Sequence, residues 1–290
     1  MTRLSTLFPE TIEPCDWPAL SSLRRSAAWG QFFPAHRLPV LAKTPLLVVL
    51  GLYLTGGRFA YATVGATMVL ATLLWFFLYA LNESTDLALE EGYYVRRRFR
   101  ILLMGLPILI GVLAACLSLR LVLPFVFTTL GQFLYCVPPM RWKRWWGAIL
   151  LLSGIMNPIL RLECGAIWGV HPIPILAFAA FVSFHLGAAL RARVLLRDRD
   201  ARLSYRVAPS GCETTGILFT ALGFLFTFLL CWQGLLPQVS LWFLLPSAAF
   251  AIYAWSGRAT SVSQLRQGWL GFAILALLAL IALLIRLTRF

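Results

Sequence analysis

Charge is scarce in this chain. Only 12% of its 290 residues are Asp, Glu, Lys or Arg, and just 11 are acids. That is too little polar surface to keep a chain of 60% hydrophobic composition and mean hydropathy +0.81 in water, which excludes a soluble globular protein. The cysteines (Cys15, Cys116, Cys136, Cys164, Cys212, Cys231) are scattered, with no CxxC pair and no histidine placed as a fellow ligand, so neither a zinc site nor a disulfide framework is indicated. No basic stretch near the N-terminus leads into a short apolar run with a small-residue cleavage site, and no removable signal peptide is expected. A secondary transporter would show paired internal repeats with interrupted helices, and no convincing repeat is found.

What is present is a series of apolar runs, each of roughly the 17 to 25 residues that cross a bilayer. Since only helices or closed barrels satisfy every backbone group in lipid, these runs predict an all-α polytopic membrane protein. Nine spans are expected: Leu38–Leu54, Ala62–Leu81, Ile101–Leu117, Leu121–Val137, Trp145–Leu162, Ile173–Leu190, Thr214–Leu230, Val239–Trp255 and Gly268–Ile285. Residues 1–37 read as a cytosolic tail, with an amphipathic surface helix around Trp17–Phe33, and residues 38–290 as one transmembrane domain.

Placing the tail in the cytosol puts the loops after spans two, four, six and eight inside as well. Counting Lys43, near the inner end of span one, all of the 25 Lys and Arg residues then lie on the inner side except Arg58, Arg120, Arg161, Arg286 and Arg289. The net charge of +14 is therefore mostly topology. It favours contact with anionic membrane lipids, while a nucleic-acid partner would need a soluble basic face that this chain lacks.

The acids are distributed less evenly. Glu10, Glu13 and Asp16 are in the tail, and all the others but Glu163 fall in two inner segments: Glu83, Asp86, Glu90 and Glu91 after span two, and Asp198, Asp200 and Glu213 after span six. If span two continues as a helix past Asn82, the residues Asn82, Asp86, Glu90 and Glu83 stand at about 0°, 40°, 80° and 100° and form one polar stripe, while Glu91 points elsewhere. Clustered carboxylate and amide oxygens at a hydrocarbon-flanked helix end suit Mg²⁺, which keeps several waters and is commonly completed by substrate phosphates. The same residues also fit a solvated acidic face neutralised by Arg96, Arg97, Arg98 and Arg100.

The stretch Asn82-Glu83-x-x-Asp86-x-x-x-Glu90 resembles the N-D-x-x-D-x-x-x-D signature at the cytosolic end of the second helix in the UbiA superfamily of intramembrane prenyltransferases. Two Asp-to-Glu changes preserve every charge. A second stretch after span four, "LYCVPPMRWKRWWG" (Leu134–Gly147), is similar to the superfamily's Y-S-x-P-P-x-R-x-K loop, with Tyr135, Arg141 and Lys143 at the matching places. By residues alone that loop also reads as a proline-broken helix end with positive anchors and interfacial tryptophans. The third signature departs from the family. Where D-x-x-x-D is usual after helix six, "VLLRDRDARLSYRVAPSG" (Val194–Gly211) offers Asp198 and Asp200 but no acidic pair four apart.

Helical spacing places Arg191, Asp198 and Arg202 at about 20°, 0° and 40°, with Asp200 opposite. Guanidinium groups bind phosphate oxygens bidentately, so that face suits a diphosphate held with fewer metal ions; simple positive-inside anchoring explains the same arginines. The resemblance implies nine helices around a central lipid-accessible cavity and Mg²⁺-dependent transfer of an isoprenoid chain from a polyprenyl diphosphate to a lipophilic acceptor. It further implies metal binding by Asn82, Glu83, Asp86, Glu90 and Asp198, with Asn82, Asp86, Glu90 and Asp198 catalytic, and substrate contacts from Tyr135, Arg141 and Lys143, to which the helical spacing adds Arg191 and Arg202. A terpene cyclase on the same scaffold, or a non-catalytic protein of this fold, fits the same residues. The expected setting is a bacterial inner membrane or its equivalent; neither the acceptor nor the oligomeric state is legible.

Three further polar features stand apart. Asn157 and Arg161 are four residues apart in span five and either line a polar pocket or let Arg161 snorkel outward, with Glu163 close by. His185 in span six reads as an interhelical hydrogen-bonding residue. Arg258 and Arg266 read as anchors.

Overall fold

The computed structural model describes residues 25–26, 38–58, 60, 62–89, 93–197, 210–237 and 240–257, with isolated positions 278, 281, 282 and 285. Eight helices build the described bundle: α1 (Leu38–Leu54), α2 (Thr63–Leu89), α3 (Arg97–Leu117), α4 (Val122–Cys136), α5 (Trp146–Ala166), α6 (Ile175–Leu195), α7 (Cys212–Trp232) and α8 (Ser240–Trp255). Six apolar stretches are long enough to cross a bilayer: α2, α3, Leu119–Cys136 (a 3₁₀ turn running into α4), α5, α6 and α7. The first and eighth expected spans are shorter apolar helices, and the ninth, Gly268–Ile285, lies almost wholly outside the described residues. So do nearly all of the tail, Glu90, Glu91, Asp198, Asp200, Arg202, Arg258 and Arg266. The all-helical expectation needs one small amendment, because Arg25–Ser26 (β1) pairs in parallel with Tyr93–Tyr94 (β2).

Helix α2 outlasts its hydrocarbon. The apolar run ends near Leu81, yet the helix continues to Leu89, with the Ser84 and Thr85 hydroxyls turned back onto the Leu81 carbonyl at 2.8 and 2.9 Å. Those hydroxyls satisfy themselves on their own helix, which lets a polar last turn stay packed rather than fray. Helix α5 is also irregular. Ile149–Met156 is π-helical, and Pro158 opens the regular α-helical stretch that starts at Asn157. Wide turns of this kind recur at functional sites.

Packing relies on small residues, as it must between helices bathed in lipid. Helix α1 crosses α5 so closely that a Cβ at Gly51 would run into the Leu162 carbonyl, and one at Gly165 into the Val48 carbonyl. The α6–α7 pair is held by Phe184 over Gly223 and by an edge-to-face Phe184–Phe224 contact at 5.0 Å. One core cluster joins α1, α5, α6 and α7 around Leu50, Leu162, Ala180 and Leu230; a second joins α2, α3, α4 and α5 around Leu74, Trp75, Ile110 and Phe125. Ile101, Leu102, Ile108, Leu109, Val112 and Leu113 on α3 are exposed, the outward apolar surface that a bilayer accepts and water would not.

Candidate functional site

The polar end of α2 meets the loop between α4 and α5. Helix α4 ends at Cys136, and the chain passes the cis Pro138–Pro139 bond before Arg141 adopts a left-handed backbone (φ 38°, ψ 49°). A 3₁₀ turn at Trp142–Arg144 follows, closed by Trp145 N–H donating to the Trp142 carbonyl at 2.8 Å, and the Trp142 and Trp145 rings stack at 5.7 Å. A non-glycine residue held left-handed is sterically costly and persists only where its surroundings fix it. Here the turn sends two cationic side chains inward.

Arg141 and Lys143 are 2% and 4% exposed, an unusual state for charged residues. Both point at Asp86. The Lys143 ammonium makes a close ion pair with Asp86 Oδ1, and the Arg141 guanidinium stands 4.0 Å from the same oxygen. Asn82 Nδ2 donates to Asp86 Oδ2 at 3.2 Å from one turn earlier. Two cations thus face the Asp86 carboxylate, and among the described residues Asn82 Oδ1 is buried with no hydrogen-bond partner. An amide oxygen beside a carboxylate is a hard donor set of the kind divalent cations take.

Asn82, Asp86, Arg141 and Lys143, singled out on the sequence from two separate segments, therefore share one site. Glu83 is half-buried beside them on α2. Tyr135, at the end of α4, accepts a hydrogen bond from Arg193 Nη2 at 3.5 Å. Arg193 was not among the expected residues; its only sequence signal was membership of the basic run closing α6. Arg191, which was expected, has its guanidinium 3.8 Å from Glu213 and 5.3 Å over the Trp255 ring, while its expected neighbours Asp198 and Arg202 lie outside the described residues. Among the described residues no three His, Cys, Asp or Glu side chains group as a metal site. The donors present, the Asn82 amide oxygen and the Asp86 carboxylate, are nonetheless of the hard oxygen type that fits a divalent cation.

Two other expectations are resolved. Arg161 does not snorkel: it is fully buried, with Nη1 donating to Asn157 Oδ1, Nη2 to the Tyr79 hydroxyl at 3.0 Å, and its guanidinium 4.5 Å from the Trp75 ring centre. His185 is an interhelical hydrogen-bonding residue, with Nδ1 donating to the Phe181 carbonyl at 2.9 Å and Nε2 accepting from Lys43 at 3.3 Å.

The structure thus gathers two buried cations, a carboxylate and an amide at one end of a helical bundle. No protein-family model and no curated protein matches the sequence. Among solved structures, the chain resembles a UbiA homologue from Archaeoglobus fulgidus bound to DMAPP and Mg²⁺, at 12% identity and TM-score 0.66, covering 88% of this chain and 99% of that one. It also resembles the Cd²⁺-bound form of a UbiA homologue from the same organism, at 16% identity and TM-score 0.60 with the same coverage. The chain shares the fold of these UbiA homologues. At these identities the likeness is one of fold.

Proposed function

We propose that the protein is a Mg²⁺-dependent intramembrane prenyltransferase that moves an isoprenoid chain from a polyprenyl diphosphate to a lipophilic acceptor. The observation that supports this most directly is the convergence of Asn82, Asp86, Arg141 and Lys143 at one helix end. The solved homologue holding DMAPP and Mg²⁺ on the same fold agrees with that reading.

In this reading Asn82, Glu83 and Asp86, with Glu90 and Asp198, hold Mg²⁺, which supplies positive charge to the diphosphate as the allylic C–O bond ionises. Lys143 and Arg141 bind non-bridging oxygens of the diphosphate, and their burial strengthens those contacts by excluding water. Arg202 takes the place of an acidic ligand and contacts the diphosphate directly, and Arg191 supports that face. Tyr135, oriented by Arg193, lines the approach to the leaving group. The apolar chain lies between the helices in a central lipid-accessible cavity whose aromatic walls tolerate the developing allylic cation and exclude the water that would quench it.

The test is binding and turnover by the purified protein. Asp86→Asn should leave the detergent-solubilised fold intact while largely abolishing Mg²⁺-dependent binding of dimethylallyl diphosphate and longer prenyl diphosphates, and with it product formation on co-purifying lipids. Undiminished binding and turnover in that variant would return the acidic stripe to a solvated helix end.

A further inference from the structure

The start of α3 concentrates charge that nothing among the described residues offsets. Arg96, Arg97 and Arg98 follow one another, all exposed, and the first turn of the helix contains no acid. Among the described residues none of the three side chains makes an ion pair or a hydrogen bond; Asp86 faces Lys143 and Arg141, and Glu213 faces Arg191. Like charges this close repel one another, and an anion relieves that repulsion. Their place is fixed by packing: Val95 clusters with Leu87 and Ala88 of α2, and Leu103 with Ala80 and Leu81.

Two of these arginines also head the lipid-facing side of the helix. Of the six long apolar stretches, α3 is the least buried within the bundle. On a helical wheel with Arg97 at about 0°, Arg98 stands at about 100°, and the exposed positions from Ile101 to Cys116 occupy about 20° to 160°. The buried Leu103, Pro107, Ile110 and Ala114 lie opposite, at about 220° to 280°. Gly105 falls near the middle of the exposed stripe, and a Cβ added there would meet nothing within 4 Å, so the apolar surface has a shallow notch one to two turns below the arginines. From Arg98 to Leu109 is about 16 Å along the axis, close to half the hydrocarbon thickness of a bilayer.

We infer that α3 carries a binding site for an anionic, two-chain phospholipid. Arg97 and Arg98 hold the headgroup phosphate through paired guanidinium N–H donors, Arg96 adds to the attracting field, and an acyl chain lies along the stripe across Gly105. A net negative headgroup is preferred because a zwitterionic one brings its own cation into the same field. A second copy of this chain fits the stripe poorly. Two copies in one membrane share an orientation, so a symmetric α3–α3 contact would set three arginines against the same three. Nothing in this site depends on prenyl transfer.

The experiment titrates delipidated full-length protein in detergent with dioleoylphosphatidylglycerol or dioleoylphosphatidylcholine, reading bound lipid by native mass spectrometry together with Tm. Saturable binding of phosphatidylglycerol with a rise in Tm is expected, with phosphatidylcholine at least about tenfold weaker. Arg97→Gln combined with Arg98→Gln changes only exposed side chains, so the fold should hold while phosphatidylglycerol binds about 30-fold more weakly, the share of two basic residues at a membrane surface. Arg58→Gln combined with Arg120→Gln removes the same charge from exposed positions elsewhere and should leave binding unchanged. Equal affinity for the two lipids, or an equal loss in both double variants, overturns the assignment. So does a second copy on the stripe, which would show in a Cys15→Ser background as dimers that copper phenanthroline cross-links through Cys116, exposed on the same face, and that persist as phosphatidylglycerol is added.

Discussion

Asp86 has close cationic company. Lys143 makes a close pair with it, Arg141 stands 4.0 Å away and Asn82 donates to its other oxygen. Lys143→Gln removes one charge-assisted contact while Arg141 keeps the loop's inner position, so prenyl diphosphate binding and turnover should fall roughly 10- to 100-fold, the range for a hydrogen bond to a charged group. Calorimetry with and without Mg²⁺ checks this, and chelation of the metal should weaken parent and variant alike. Unaltered kinetics would leave Lys143 as a topological anchor. The four residues were legible because both segments carry motif spacing that survives without structure. Arg193 was not, because the direction of a long side chain depends on how α6 closes against Tyr135. Placing Arg191 with Asp198 and Arg202 rests on one helical register through all three positions; the structure sets Arg191 beside Glu213 and Trp255, and Asp198 and Arg202 lie outside the described residues. If Arg202 nonetheless contacts the diphosphate, Arg202→Asp should lower turnover at low Mg²⁺ and recover part of it at high Mg²⁺, since Asp198 and the introduced carboxylate together can hold a second cation. A Mg²⁺ titration of product formation reads this; the same deficit at every Mg²⁺ level would remove Arg202 from diphosphate binding.

At the scale of elements, hydropathy located the apolar helices because spanning length and composition are one-dimensional properties. It could not reveal how closely they pack. Gly51 and Gly165 look like ordinary small residues in the sequence, yet they let α1 and α5 bring backbone against backbone at a crossing that no side chain fits. This crossing places α5, and with it Asn157 and Arg161, relative to α2. Gly165→Val should therefore cost at least about 3 kcal/mol, the upper range for overpacking, because the obstacle is the Val48 carbonyl and not a flexible side chain. Gly105, with open space around it, is the control: Gly105→Ala should be near neutral. Denaturation in mixed micelles, followed by helical signal, measures both. Equal stability of the Gly165 variant and the parent would mean that the α1–α5 contact is looser in solution.

The molecule as a whole has a polarity that connects charge, site and substrate. The loop bearing Arg141, Lys143 and Arg144 is one of the basic segments, so the positive-inside rule predicts that the Asp86 end of the bundle faces the cytosol, the side from which the proposed diphosphate substrate would be drawn. Orientation is a separate claim from fold, because the same helices pack identically in an inverted protein. It is tested with Met140→Cys, 41% exposed on that loop, and Leu119→Cys, 81% exposed at the opposite helix ends, in a background with Cys15 and Cys116 replaced by serine. A membrane-impermeant maleimide should label Met140→Cys only in inverted vesicles and Leu119→Cys only in intact cells. The reverse pattern would place the site on the outer face. A polyprenyl diphosphate drawn from the cytosolic side could not then be its substrate, whatever the geometry at Asp86.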